Sequence, residues 1–114
     1  MKKRKYFLII GILFLCMIFG IICYKQAITE KVLKQTWEQL SKSERYEAVG
    51  SWTDGKVEKI IIQEGNTRYF VEESYYGEPV LLVTFTSSRR EVIGDVEKIV
   101  DAASGRIVGG SFRD

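Results

Sequence analysis

Histidine is absent from this chain of 114 residues, cysteine occurs twice and proline once. Without an imidazole there is no Ser-His-Asp triad and no Cys-His pair, so the usual activated nucleophiles are excluded. Cys16 and Cys23 both lie before residue 25, inside one apolar run. The ninety residues that follow therefore hold no disulfide framework and no thiolate or imidazole metal site. No glycine-rich phosphate loop is present, because the glycines, Gly109-Gly110 included, stand in turn-like or strand-end contexts. Carboxylates are the only groups left for acid–base work.

Charge is missing locally as well. Tyr6 to Tyr24 (YFLIIGILFLCMIFGIICY) carries none, and Lys2, Lys3, Arg4 and Lys5 stand directly before it. The formal net charge of +2 comes from 17 basic and 15 acidic residues. Without the leading tetrad, thirteen cations face the same fifteen acids, so the rest of the chain is mildly acidic. That excludes a basic nucleic-acid binder. As a helix the run would be about 28 Å long, close to the hydrocarbon thickness of a bilayer. A cleaved signal peptide would have a shorter apolar core and a small-x-small site, for which Lys25-Gln26-Ala27 is a poor match. A lipoprotein would need a small residue before the modified cysteine, whereas Leu15 and Ile22 precede the two here. The expectation is an uncleaved membrane anchor. The positive-inside rule places residues 1–5 in the cytoplasm, a transmembrane helix over 6–24, and an extracytoplasmic domain over 25–114. An outer domain without cysteine suits a bacterial envelope that makes little use of disulfides, such as a Gram-positive one.

Beyond the span, Ala27 to Lys42 contains no glycine or proline. Leu33, Trp37 and Leu40 recur at helical spacing, with Val32 and Thr36 beside them, so an amphipathic helix is predicted. Almost no linker separates it from the span, and the two are expected to run on into each other. Strands are predicted over Tyr46–Trp52, Val57–Gln63, Thr67–Tyr75, Val80–Thr86, Val92–Asp101 and Arg106–Gly109. Asp54-Gly55 is the hairpin turn of this reading, Gly94 a bulge or bend, and Val80–Thr86 the most central strand. Connections this short imply antiparallel pairing. The fold class is α+β: a transmembrane helix, then one amphipathic helix packed on a curled antiparallel sheet of about five or six strands.

No catalytic residue, cofactor or metal ligand is assigned. Asp95, Glu97 and Asp101 would share a strand face if the register were unbroken, and would then hold a cation weakly or form a dyad. A solvated sheet face or a charge-guarded edge is the simpler reading. Adjacent Glu72 and Glu73 point to opposite faces and make no pair. Tyr69, Phe70, Tyr75 and Tyr76 offer an aromatic platform, and Ser87-Ser88-Arg89-Arg90 offers a cationic tip. The candidate contacts for a partner are Tyr75, Tyr76, Arg89 and Arg90.

Three segments carry a likeness to a family: Gly55-Lys56-Val57-Glu58-Lys59-Ile60, the strand Val80-Leu81-Leu82-Val83-Thr84-Phe85, and the ending Ile99 to Val108 with its Asp101-to-Gly105 turn. Over Gly55 to Val108 the chain resembles a PepSY-type domain. That resemblance implies a cystatin-like fold, a helix on a curled sheet, and no catalytic residues. PepSY-type domains recur in protease propeptides and bacterial envelope proteins, where they bind or restrain partners. The expected function is a membrane-anchored module that binds or restrains an unidentified envelope protein, such as a peptidase. The alternatives are a pilin-like structural subunit, although the glutamate usual near the start of a pilin's apolar stretch is missing, and a domain that binds a cell-wall polymer.

Overall fold

The computed structural model describes residues 2–113. Its residues group into two units, Met1–Glu30 and Lys31–Asp114. A single helix, α1, runs from Lys2 to Gln39, so the two expected helices are one. In the first unit the side chains from Phe7 to Tyr24 are exposed all round, Phe7 by 83%. From Phe7 onward α1 is long and apolar enough to cross a membrane.

In the second unit, Val32, Leu33 and Thr36 of α1 are buried together with Leu40, which is the stripe predicted from spacing. The Thr36 hydroxyl is satisfied by the Val32 carbonyl at 2.8 Å, which lets a polar residue sit fully buried. Helix α2 (Lys42–Glu47) follows, where a strand was expected from Tyr46. The reason is local. Ser41 accepts from the Glu44 N–H while the Glu44 carboxylate accepts from the Ser41 N–H, a capping box that starts a helix. Arg45 then donates to the Trp37 and Glu38 carbonyls at the end of α1, the first of which also accepts from the Leu40 N–H. Only the Ala48–Ser87 bridge survives of the expected strand. Asp54-Gly55 ends a 3₁₀ turn (Trp52–Asp54) rather than making a hairpin, and Gly55 has an ordinary φ of −69°. Glycine is required there for space, since a Cβ would lie 2.7 Å from both Leu33 and Phe85.

Five strands follow: β1 (Lys56–Ile61), β2 (Tyr69–Val71), β3 (Pro79–Phe85), β4 (Val96–Val100) and β5 (Ile107–Ser111). All pair antiparallel in the order β1-β3-β4-β5-β2. Thus β4 is central, and the very apolar β3 lies beside it. The expected strand from Val92 instead opens with a short helix, α3 (Arg90–Ile93), and Gly94, expected as a bulge or bend, turns the chain at φ +79° between that helix and β4. The Thr67–Tyr75 strand shortens to three residues because Glu73–Tyr75 forms a 3₁₀ turn. Gly109 and Gly110 sit inside β5, not at its end. A Cβ on Gly109 would overlap the Phe70 carbonyl of β2, and one on Gly110 would come to 2.9 Å from the Glu97 carbonyl. Close backbone approach sets both positions.

The sheet buries both faces. Towards α1, Val83, Phe85, Val96 and Val100 pack on Val32, Leu33 and Leu40. The Trp37 and Phe85 rings meet edge-on at 5.4 Å. Gln39 ties α1 to the start of β5, donating to the Gly105 carbonyl at 2.7 Å and accepting from the Ile107 N–H at 2.9 Å. On the opposite face Ile62, Val80, Leu82, Ile99 and Val108 form a second core, flanked by Tyr69, Tyr75 and Tyr76.

A nearly buried ion pair closes the end of the domain. The Glu47 carboxylate accepts from Arg113 and from the Ser87 hydroxyl, while Arg113 also donates to the Gly94 carbonyl. The Arg113 hydrogen bond, with help from Ser87, holds the Glu47 carboxyl below its ordinary value of 4.5. Stability from this group is therefore fully present above about pH 4.5 and is lost as the pH falls from there through the lowered value of the folded state. In urea unfolding of the full chain, Arg113→Ala should cost about 2–4 kcal/mol at pH 7, since it leaves a buried charge unpaired. Glu47→Gln should flatten the decline in stability below about pH 5. A second prediction concerns β5: Gly109→Ala should cost about 1–3 kcal/mol and speed amide exchange in β2 more than in β3.

Candidate functional site

The second face of the sheet is not filled along its whole length. Next to the second core lies an open hollow of about 640 Å³, a size that suits a ligand or a peptide side chain. Its floor is Ile60 and Leu82, with buried Ile62 behind them. Its walls carry Glu58 from β1, Thr84 from β3, Glu97 from β4 and Tyr69 from β2, with Asp95 just ahead of β4. Glu58 and Tyr69 come from strands at opposite edges of the sheet, so only a curled sheet brings them to one cavity.

The segment between β1 and β2 shapes one wall. Asn66 makes an Asx turn: its side-chain oxygen accepts from the Arg68 N–H at 3.1 Å and from the Tyr69 N–H at 2.7 Å. Its amide donates to the Gln63 carbonyl at 3.1 Å. This fixes the first residue of β2, and the Tyr69 hydroxyl donates to Glu97 Oε2 at 3.3 Å. Burial is the main reason the Tyr69 phenol is harder to ionise than usual, and the Glu97 charge adds to it. The Arg68 guanidinium lies 5.1 Å from the centre of the Tyr69 ring and 3.8 Å from Glu97, with 73% of its side chain exposed.

Three carboxylates thus face the hollow against one cation. Asp95 is committed, accepting from the Ser87 N–H at 3.1 Å and lying 3.6 Å from Arg90. Glu97 is shared between Tyr69 and Arg68. Among the described residues, none makes a hydrogen bond or ion pair with the Glu58 side chain. Asp101, once grouped with Asp95 and Glu97, serves a different turn. It accepts from the Ala103 N–H, the Ser104 hydroxyl and the Tyr75 hydroxyl. The backbone bond from Ala103, followed by that of Ser104, holds its carboxyl low. Among the described residues no group of three histidine, cysteine or acidic side chains is placed to hold a metal.

The candidate contacts fall outside the hollow. Tyr75 and Tyr76 are half-buried against the second core. Arg89 is exposed beside Lys42, Ser43 and Tyr46, and Arg90 reaches the rim only through Asp95. Sequence reasoning considered Tyr69 and Glu97 separately but not together, and it passed over Arg68 and Glu58. The one local signal was Asn66 before Arg68-Tyr69, which marks an ordered turn. In comparisons with known protein families, curated proteins and solved structures, nothing matches this chain.

Tyr69 offers a direct check of this geometry. Removing the Glu97 charge should ease ionisation of the phenol. In ultraviolet titration of the full chain, Glu97→Gln should shift one tyrosine to lower pH, and Tyr69→Phe should remove that same transition.

Proposed function

We propose that this protein is a membrane-anchored, extracytoplasmic module that binds or restrains another envelope protein. In this reading α1 crosses the bilayer over residues 6–24, residues 1–5 lie in the cytoplasm, and the α+β unit is presented outside. One observation supports it above the others. A helix whose apolar side chains are exposed all round belongs to the same chain as a unit with a ligand-sized, charged hollow. An apolar helix that nothing in its own unit covers is stable in lipid and costly in water. The basic tetrad before it supports the orientation. The hollow has polar and charged walls but no nucleophile paired with a base, which fits recognition better than turnover. A helix laid on one face of an antiparallel sheet also agrees with the cystatin-like fold that the PepSY resemblance implies.

The test is made in living cells. A C-terminal tag should be cleaved by protease added to intact protoplasts, and a tag protected until lysis would overturn the orientation. A photo-crosslinking residue placed at exposed Tyr46, Thr67 or Phe112 should give a discrete adduct with a second protein from at least one position. A ladder of self-adducts would support the structural-subunit reading instead, and no adduct from any position would remove the interaction reading.

A further inference from the structure

The hollow lies beside a free strand edge, and the two features together define a ligand. β1 is the first strand of the sheet and pairs only with β3, from Lys56–Thr84 to Ile61–Pro79. Alternate residues of an edge strand turn their N–H and C=O groups away from the sheet. Among the described residues no backbone hydrogen bond takes up those of β1. The other edge, β2, is only three residues long. β1 is therefore the edge with length enough to template another strand. It is also weakly guarded at its end, where Ile61 is 55% exposed.

The charge of the hollow says which strand fits. Glu58, Asp95 and Glu97 outnumber Arg68, and Asp95 is already engaged by Arg90 and the Ser87 N–H. Glu97 is shared by Tyr69 and Arg68, so the unmet demand for positive charge lies at Glu58, across the hollow from Glu97. Arg68 shows that a guanidinium is accommodated here, close to the Tyr69 ring face and Glu97. The floor of Ile60 and Leu82 suits the aliphatic stem of a long basic side chain. Lys59 has the parity of Val57, which packs towards α1, so its charge belongs to the other face. Lys56 shares the parity of Glu58, but it does not line the hollow and, among the described residues, makes no ion pair with its carboxylates.

We propose that an extended, basic segment of the partner adds as a sixth strand to the outer edge of β1. It directs one lysine or arginine into the hollow, between Glu58 and Glu97. This is β-augmentation, with main-chain bonds giving affinity and the acidic hollow giving specificity. The inference rests on the interaction-module reading and names its recognition site.

The test uses the full chain in discs of zwitterionic lipid and three synthetic hexapeptides. One alternates valine with lysine, one alternates valine with glutamate, and one is the lysine peptide N-methylated on alternate amides. The lysine peptide should bind and shift the amide resonances of residues 56–61 and Tyr69. The glutamate peptide should not bind, and N-methylation should weaken binding about tenfold or more, the loss expected when strand pairing fails. Glu58→Gln and Glu97→Gln should each weaken it about five- to tenfold, and Glu58→Lys should abolish it with the thermal melt unchanged. Equal binding of the lysine and glutamate peptides, binding no stronger than to empty discs, or an indifferent Glu58→Lys variant would each overturn the proposal. The cellular adduct separates this site from the broader function. If Glu58→Lys leaves that adduct intact, the module reading stands and this site is wrong; if the adduct disappears, the site is supported.

Discussion

Seven residues separate the end of β1 at Ile61 from the start of β2 at Tyr69, yet these strands form opposite edges of a five-stranded sheet. In a flat sheet those edges would be about 19 Å apart, four spacings of roughly 4.8 Å. The register makes the demand greater. Ile61 pairs with Pro79 at one end of β3, and Tyr69 pairs with Ser111 at the far end of β5. A connection of this length extends to about 28 Å at most, so it must cross the sheet face diagonally, and little slack remains unless the sheet curls. Gly109 and Gly110 permit that curl by letting the backbones of β2 and β4 close in on β5. The exposed Phe70 ring lies near the space left by Gly110, where a larger side chain would otherwise stand.

The rest of the domain's far side follows from that crossing. Where the segment leaves β1, Ile62 is pressed into the second core and its carbonyl accepts from the Gly77 N–H at 2.9 Å. Where it arrives at β2, Asn66 and Arg68 stand clear of the sheet and leave the hollow beneath. One half of the face is therefore packed by isoleucine, valine and tyrosine, while the other half stays open and collects carboxylates. The helix side needs no such compromise, because α1 covers it with a regular stripe.

This explains which parts could be read from the sequence. The stripe of Val32, Leu33, Thr36, Trp37 and Leu40 is a local periodicity, and its burial followed. The run Val80 to Phe85 also became a buried interior strand for local reasons. The capping box from Ser41 to Glu44 was equally legible, but the alternation from Tyr46 to Trp52 spoke for a strand, and the cap, which begins five residues earlier, carried the helix through Glu47. Pairings across long separations left no such mark. Tyr69 meets Glu97 from 28 residues away and Arg113 meets Glu47 from 66. The hollow depends on the first of these, so the residues that line it appeared in the sequence only as scattered acids and aromatics.

The two kinds of side chain in the hollow differ in how firmly they are held. Tyr69 is fixed at both ends, by the Asx turn behind its backbone and by Glu97 at its hydroxyl. Arg68 is held by a 3.8 Å ion pair and a ring contact while most of its side chain stays in water. Exposed pairs of that kind contribute about 0–1 kcal/mol, so Arg68 can swing aside at small cost. The wall is then preorganised and its neutralising charge is mobile. The proposed lysine or arginine would then enter without breaking a buried bond, and little of the binding free energy would be lost to reorganisation.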